Sequence, residues 1–361
     1  MIKKKPPPEY NIGIIGCGKT GKDLFEFLTG FRFHVTLVCR TDEAVEKLAN
    51  TFRKKQNRAL KYRLTDPGTY NFRNQNTIIT SDLNLLKNCN LVIEAISENA
   101  DRKKELFRQI EPVVSPDCML ASNTSSIPPD ELFKELKMPG RCLGLHFFFP
   151  VTMKNFVEIN VAVKTGNKTV LKVEDFLKSI KKNFLVLTGN DHFIINRMFL
   201  KVQAGCCQLL QEGILDVSEI DALVKDRLFP AGIFNFFDQV GNDVMLQSVK
   251  NYLRYENDPG FFLPLIECLE EKVGEGRLGK KTKSGFYDYP LKTSSNETVS
   301  FNEPEIKNVL QKITGWCLDG IFDVLYRSVC SKSELEQIVK EYLMVEKSPF
   351  ELAGEIGYVS K

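Results

Sequence analysis

Histidine is scarce in this chain, with three residues (His34, His146 and His192) among 361, and tryptophan is scarcer still, at one. No stretch approaches the roughly 20 apolar residues that a membrane-spanning helix needs. An excess of either charge is also missing. Forty-nine Lys and Arg against 46 Asp and Glu leave a net charge of +3, too little to hold nucleic acid as a global partner. The ten cysteines include no CxxC pair and the histidines are not spaced as zinc ligands, so no metal is expected. Thiols at irregular spacings, several in apolar settings such as Cys142, Cys206-Cys207 and Cys317, are expected to be reduced and partly buried, in the cytoplasm. The basic start, Met1 to Pro8, lacks an apolar stretch after its lysines. It reads as neither a secretory signal nor a transit peptide.

The composition that remains is that of an ordinary globular protein, 43% apolar and 26% charged, long enough for two or three cores. The apolar run Asn11-Ile12-Gly13-Ile14-Ile15 stops at the glycine-rich turn Gly16-Cys17-Gly18-Lys19-Thr20-Gly21. Helical spacing follows from Gly21 to Leu28, then β-branched alternation in His34-Val35-Thr36-Leu37-Val38. Strand, glycine turn, helix and strand form the opening unit of a dinucleotide-binding fold. Gly16, Gly18 and Gly21 each have a mechanical task there: a tight turn, room for a pyrophosphate, and close packing of helix on strand. Thr51 to Tyr70 breaks the alternation and carries Arg53, Lys54, Lys55, Arg58, Lys61 and Arg63 with few acids. It reads either as a solvated helical excursion or as a cationic patch for a polyphosphate tail. Strands resume at Thr77-Ile78-Ile79-Thr80 and at Asn90 to Ile96.

From about Asp191 the pattern turns helical, and Ile194 through Leu210 has the length and apolarity of one buried helix. Two stretches here resemble two others further on. Val217 to Asp226 parallels Lys332 to Glu341, and Gly232 to Gly241 parallels Ser348 to Gly357, at offsets of 115 and 116. A duplicated helical unit is expected, with the polar stretch Lys292 to Thr298 as linker. The expected organisation is an α/β doubly wound, Rossmann-type domain over 1–190, then an all-α region of two related units, 191–290 and 303–361.

His146 lies in Leu145-His146-Phe147-Phe148-Phe149-Pro150, and Glu158 follows within Phe156-Val157-Glu158-Ile159. An imidazole near its ordinary pKa of about 6.5 suits removal of an alcohol proton at physiological pH. Glu158, in an apolar strand, needs a partner because an unpaired buried carboxylate is costly. Read alone, His146 is equally a core histidine at a strand end, Ser125 a turn residue, and Asn196 a cap or bridge between buried helices.

Taken together, the glycine turn, Glu94-Ala95-Ile96-Ser97-Glu98-Asn99, Ser122 to Ser126, the His146 block, Phe193-Ile194-Ile195-Asn196-Arg197, Gly279 to Tyr287 and both helical repeats resemble the L-3-hydroxyacyl-CoA dehydrogenases. That resemblance implies hydride transfer between a 3-hydroxyacyl-CoA and NAD(P), with His146 as catalytic base and Glu158 as its orienting partner. It implies Ser125 and Asn196 as the polar groups holding the substrate oxygen, and Glu98, Lys103 and Lys281 as cofactor contacts. The basic excursion corresponds to the coenzyme A segment, with Lys54, Lys55 and Arg58 as candidates. Single-unit relatives dimerise through the helical domain. A tandem copy can supply that surface within one chain, so a monomer is expected, with a homodimer as the alternative.

Three departures from the family pattern stand out. Cys39, followed by Arg40 and Thr41, occupies the place of the ribose-gripping aspartate. Its loss removes repulsion against a 2′-phosphate, which Arg40 can pair with, so NADP competes with NAD. Phe149 replaces an asparagine after the histidine block, and His192 replaces a glycine. These departures keep two rivals in view: an NADP-linked reductase of a small hydroxy acid or carbonyl compound, and a non-catalytic nucleotide-binding protein of the same fold.

Overall fold

The structure, a computed structural model, describes residues 10–189, 192–254, 256, 258–291, 303–327, 329–343, 348–355 and 357–358. The stretch 292–298, read as a linker, lies outside them, as does the 190/191 boundary. The chain divides into two compact units, up to His192 and from Phe193 onward.

The first unit runs β1 (Asn11–Ile15), α1 (Lys19–Leu28), β2 (His34–Val38), α2 (Asp42–Lys61), α3 (Pro67–Asn76), β3 (Thr77–Thr80), β4 (Leu91–Glu94), α4 (Ala100–Ile110), β5 (Met119–Ser122), α5 (Pro129–Phe133), β6 (Cys142–Phe147), β7 (Phe156–Asn160), α6 (Asn167–Ser179) and β8 (Asn183–Leu187). The eight strands form one sheet, in the order β3-β2-β1-β4-β5-β6-β7-β8. Neighbours are parallel except β6 and β7, which run antiparallel. Strand side chains alternate between faces, and the two cores record it. Ile12, Ile14, Val35, Leu37, Leu91 and Ile93 pack with Leu24, Phe25, Phe176 and Leu177 of α1 and α6. Val38, Val92, Leu120 and Cys142 pack with Phe107, Ile110 and Phe133 of α4 and α5. Both faces are therefore covered, and the strands read as near-continuous apolar runs.

The basic excursion is helical. Thr41 caps α2, accepting from the Ala44 N–H at 3.3 Å, and Asp66 caps α3, accepting from the Thr69 N–H at 2.9 Å. Gln56 is the one residue of α2 that is buried, so the cations of its second half lie along a solvated surface.

The second unit contains α7 (Ile194–Met198), α8 (Leu200–Gln211), α9 (Val217–Arg227), α10 (Ile233–Val240), α11 (Asn242–Leu253), α12 (Leu263–Gly274), α13 (Glu303–Tyr326), α14 (Lys332–Leu343) and α15 (Pro349–Glu355). The single helix expected over 194–210 is two. The Phe199 N–H reaches the Asn196 carbonyl at 3.3 Å, three residues back rather than four, and this tightened turn divides α7 from α8. The repeated stretches form α9–α10 and α14–α15. Asp216 and Glu219 make a capping box at the start of α9. Ser331 and Glu334 bond reciprocally at the start of α14, at 2.8 and 3.3 Å, the same device at the corresponding position. Helix α13 lies against α7 and α8 at small residues: a Cβ on Gly205 would stand 2.1 Å from the Trp316 ring, and one on Gly320 2.0 Å from the Met198 carbonyl oxygen. No described helix is long and apolar enough to cross a membrane.

Candidate active site

The carboxyl ends of the central strands carry most of the polar residues singled out above. At the end of β1, Gly16 has φ +114°, and a Cβ there would meet the Ala95 carbonyl oxygen at 2.5 Å. A Cβ on Gly21 would lie 1.9 Å from the Gly16 carbonyl oxygen, so α1 can approach the turn this closely only without a side chain. Gly18 faces open space and precedes α1 with no side-chain cap. The first N–H groups of a helix lack intrahelical acceptors and carry the positive end of its dipole. An open glycine before uncapped N–H groups fits a dinucleotide pyrophosphate.

At the end of β2, Cys39 is buried and its thiol is pushed up to about 12, first by burial and then by the neighbouring Cys17 thiol. It is neutral at physiological pH, so no negative charge stands where an aspartate would. Arg40, next along, is exposed.

β6 and β7 pair so that His146 lies directly opposite Glu158. Their side chains share one face, and His146 Nδ1 stands 2.7 Å from Glu158 Oε2. Glu158 is fully buried. An ionised carboxylate can only accept, so Nδ1 carries the proton and Nε2 is the basic nitrogen. The Phe148 ring packs on the imidazole, centroids 4.2 Å apart. Asn123, just past β5, accepts from the Phe147 N–H at 2.8 Å and ties the two strand ends together beside the histidine.

Ser125 sits on the turn after β5, which Glu98 organises. Glu98 Oε1 accepts from Thr124 Oγ1 at 2.6 Å, from the Ser125 and Ser126 N–H groups at 3.0 Å each, and from Ser126 Oγ at 2.9 Å. Burial alone would raise the Glu98 pKa, but the Lys103 charge and these donors outweigh it and hold the carboxyl below its ordinary value. Lys103 is 1% exposed, with its ammonium 2.6 Å from Glu94 and 3.4 Å from Glu98. Sequence reasoning did not single out Glu94, the second carboxylate on the Lys103 ammonium. The only signal was a carboxylate closing an apolar strand, which requires a buried partner.

The remaining candidates divide between surface and second unit. Lys54 and Arg58 are exposed on α2, and Lys55 pairs with Glu26 of α1. Phe149, 42% exposed, holds the Lys19 ammonium 4.2 Å from its ring centroid. Asn196 and Lys281 belong to the second unit. There Asn196 Nδ2 donates to Tyr252 Oη at 3.0 Å, Lys281 pairs with Asp243, and Arg197 pairs with Glu256 at 2.6 Å.

A doubly wound sheet with an open glycine turn at one strand end and a buried imidazole–carboxylate pair further along is the pattern of a pyridine-nucleotide dehydrogenase. Comparison with known proteins narrows the class. Residues 11–191 match the NAD-binding domain of 3-hydroxyacyl-CoA dehydrogenase, and residues 193–289 match its C-terminal domain. The chain belongs to the 3-hydroxyacyl-CoA dehydrogenase family. A 3-hydroxybutyryl-CoA dehydrogenase of Mycobacterium tuberculosis is 30% identical over 77% of this chain and 98% of its own length. A glyoxysomal fatty acid β-oxidation multifunctional protein of Cucumis sativus is 26% identical over 96% of this chain and 48% of its own. The crystal structure of an Escherichia coli 3-hydroxybutyryl-CoA dehydrogenase shares the fold, with a TM-score of 0.80 over 96% of this chain and 92% of that one, at 21% identity.

Proposed function

We propose that the chain interconverts an L-3-hydroxyacyl-CoA and the matching 3-ketoacyl-CoA, with His146 as the base that takes the hydroxyl proton and the acid that returns it. The observation carrying this reading is the 2.7 Å bond from His146 Nδ1 to a fully buried Glu158. Glu158 fixes the tautomer, so Nε2 receives the proton, and the carboxylate then compensates the imidazolium. Ser125 and Asn196 hold the substrate oxygen, and Lys54, Lys55 and Arg58 attract the coenzyme A phosphates. The nicotinamide dinucleotide, when bound, takes up or delivers hydride. Gly16, Gly18, Gly21 and the N-terminus of α1 hold its pyrophosphate, with Glu98 and Lys281 as further contacts.

NAD is the carrier named by the matching domain. Acceptance of NADP is a second reading, favoured by a neutral Cys39 and an exposed Arg40 at the end of β2. The helical region comprises two units, 191–290 and 303–361, and the packing of α13 over α7 and α8 supports a monomer. Sedimentation is the check, and an obligate dimer through the first helical unit would remove that part.

Family membership favours neither rival reading, the small-acid reductase nor the inert binder. The deciding measurement is NADH and NADPH oxidation with acetoacetyl-CoA, longer 3-ketoacyl-CoA thioesters and free acetoacetate. Turnover of the thioesters is expected. Turnover of the free acid alone, or of nothing, overturns the reading.

A further inference from the structure

One buried cluster contains charged groups whose arrangement the proton transfer at His146 does not explain. Lys103, on the first turns of α4, turns its ammonium back over the end of β4, where Glu94 Oε1 lies at 2.6 Å and Glu98 Oε2 at 3.4 Å. Glu94 is anchored independently: Ser122 Oγ donates to its Oε2 and the Ile96 N–H to its Oε1, each at 2.6 Å. One cation thus sits between two carboxylates, and the second carboxylate gathers the hydroxyls of Thr124 and Ser126 and the N–H groups of Ser125 and Ser126. The triad joins the loop after β4 to the loop after β5.

We infer that Glu94 and Lys103 are positioning residues: Glu94 fixes the Lys103 ammonium, the ammonium fixes the Glu98 carboxylate, and Glu98 shapes the turn that presents Ser125. The inference rests on the reading of Ser125 as a substrate contact. It differs from the family-implied role of Lys103, a direct cofactor contact, because its ammonium is spent on two carboxylates and is 1% exposed.

Charge balance within the triad can be broken and restored. Lys103→Met leaves two carboxylates side by side with no cation between them, and such a pair cannot remain doubly ionised in a buried site. The two carboxylates must then share a proton, and whenever it lies on Glu98 an acceptor becomes a donor and part of what holds Thr124, Ser125 and Ser126 in their turn is lost. Adding Glu94→Gln takes away the second charge and lets Glu98 stay ionised on its own donors. A lysine that touched the cofactor directly would not be replaced by such a second substitution.

The experiment uses the full chain and compares wild type, Lys103→Met, Glu94→Gln/Lys103→Met, Ser125→Ala and Ser125→Ala/Lys103→Met. Readouts are kcat and KM for acetoacetyl-CoA, circular dichroism and the thermal midpoint. Lys103→Met is expected to lower kcat/KM about 100-fold, the cost of misplacing a group in an active constellation, and Glu94→Gln is expected to restore about tenfold of that. Ser125→Ala is expected to cost much less in the Lys103→Met background than in wild type, because groups acting through one contact are not additive. No recovery in the charge-neutral double variant, or equal cost of Ser125→Ala in both backgrounds, overturns the inference. If Lys103→Met does not fold, folding regained on adding Glu94→Gln supports it and continued failure overturns it. A Ser125→Ala variant with unchanged kinetics sinks the substrate role of Ser125 instead, and the rescue by Glu94→Gln then decides the triad.

Discussion

His146 and Glu158 face each other across the antiparallel pairing of β6 with β7, and the 2.7 Å contact between them follows from strand register rather than from a loop. Residues directly opposite in an antiparallel pair project from the same face. A carboxylate brought in this way has little freedom to leave, because both backbones are pinned. His146→Gln and Glu158→Gln are each expected to lower kcat by about 100- to 10,000-fold, the range of a positioned general base. Glu158→Gln keeps the shape of the side chain but offers an amide that can stabilise the wrong tautomer. Steady-state rates with acetoacetyl-CoA and NADH check this, with circular dichroism as the control for folding. Wild-type rates in either variant would remove the pair from the chemistry.

The parts of the site legible in the sequence are those whose geometry is local or strand-bound. The glycine turn is one, since Gly16 and Gly21 are demanded by contacts with Ala95 and with the turn itself. The histidine and its carboxylate are another, lying twelve residues apart on two apolar strands joined by one loop. The Glu94–Lys103–Glu98 triad was not legible as a unit. Lys103 sits in Ala100-Asp101-Arg102-Lys103-Lys104-Glu105, which reads as the solvated face of a helix, and only the placement of α4 over the end of β4 turns that ammonium inward. The division at Phe199 was hidden for a similar reason: apolar periodicity runs unbroken through it, while the backbone changes its hydrogen bonding.

Glu98 makes folding stability depend on pH in a defined direction. Its carboxyl is held below the ordinary value of 4.5: burial opposes this, and the Lys103 charge together with the turn's donors overcomes it. A group depressed in the folded state contributes stability above its unfolded pKa and loses it as pH falls through the folded one. Wild type is therefore expected to exceed Glu98→Gln in urea midpoint at pH 7, with the gap narrowing as pH is lowered below about 4.5. Other carboxylates titrate in both proteins, so the difference between them isolates Glu98. A gap that stays constant from pH 7 to pH 3 would show that the ionised form is not what holds the turn.

Arg40 and Cys39 divide the cofactor question into two substitutions. Cys39 is neutral because burial and Cys17 push its thiol up to about 12, and Arg40 is exposed beside it. Arg40→Asp introduces a carboxylate against a 2′-phosphate and removes the guanidinium that would pair with it. The ratio of kcat/KM for NADPH to that for NADH is expected to fall about 10- to 100-fold, the worth of a charge-assisted hydrogen bond. Parallel titrations of both cofactors at fixed acetoacetyl-CoA measure it. An unchanged ratio would mean that Arg40 does not meet the adenosine ribose.

Gly205 and Trp316 give the helical unit a contact that can be both broken and watched. A Cβ on Gly205 would stand 2.1 Å from the indole ring, so Gly205→Ala forces α8 and α13 apart or drives the ring from its place. Overpacking of this kind typically costs about 1–3 kcal/mol. Trp316 is the single tryptophan of the chain, so intrinsic fluorescence reports on this contact and no other indole. In urea titrations, Gly205→Ala is expected to lower the midpoint of the fluorescence transition, and Trp316→Leu to relieve part of that loss when stability is followed by circular dichroism. If α13 were a loosely attached appendage, the indole would already be solvated, its emission would not shift on unfolding, and Gly205→Ala would leave the midpoint where it was.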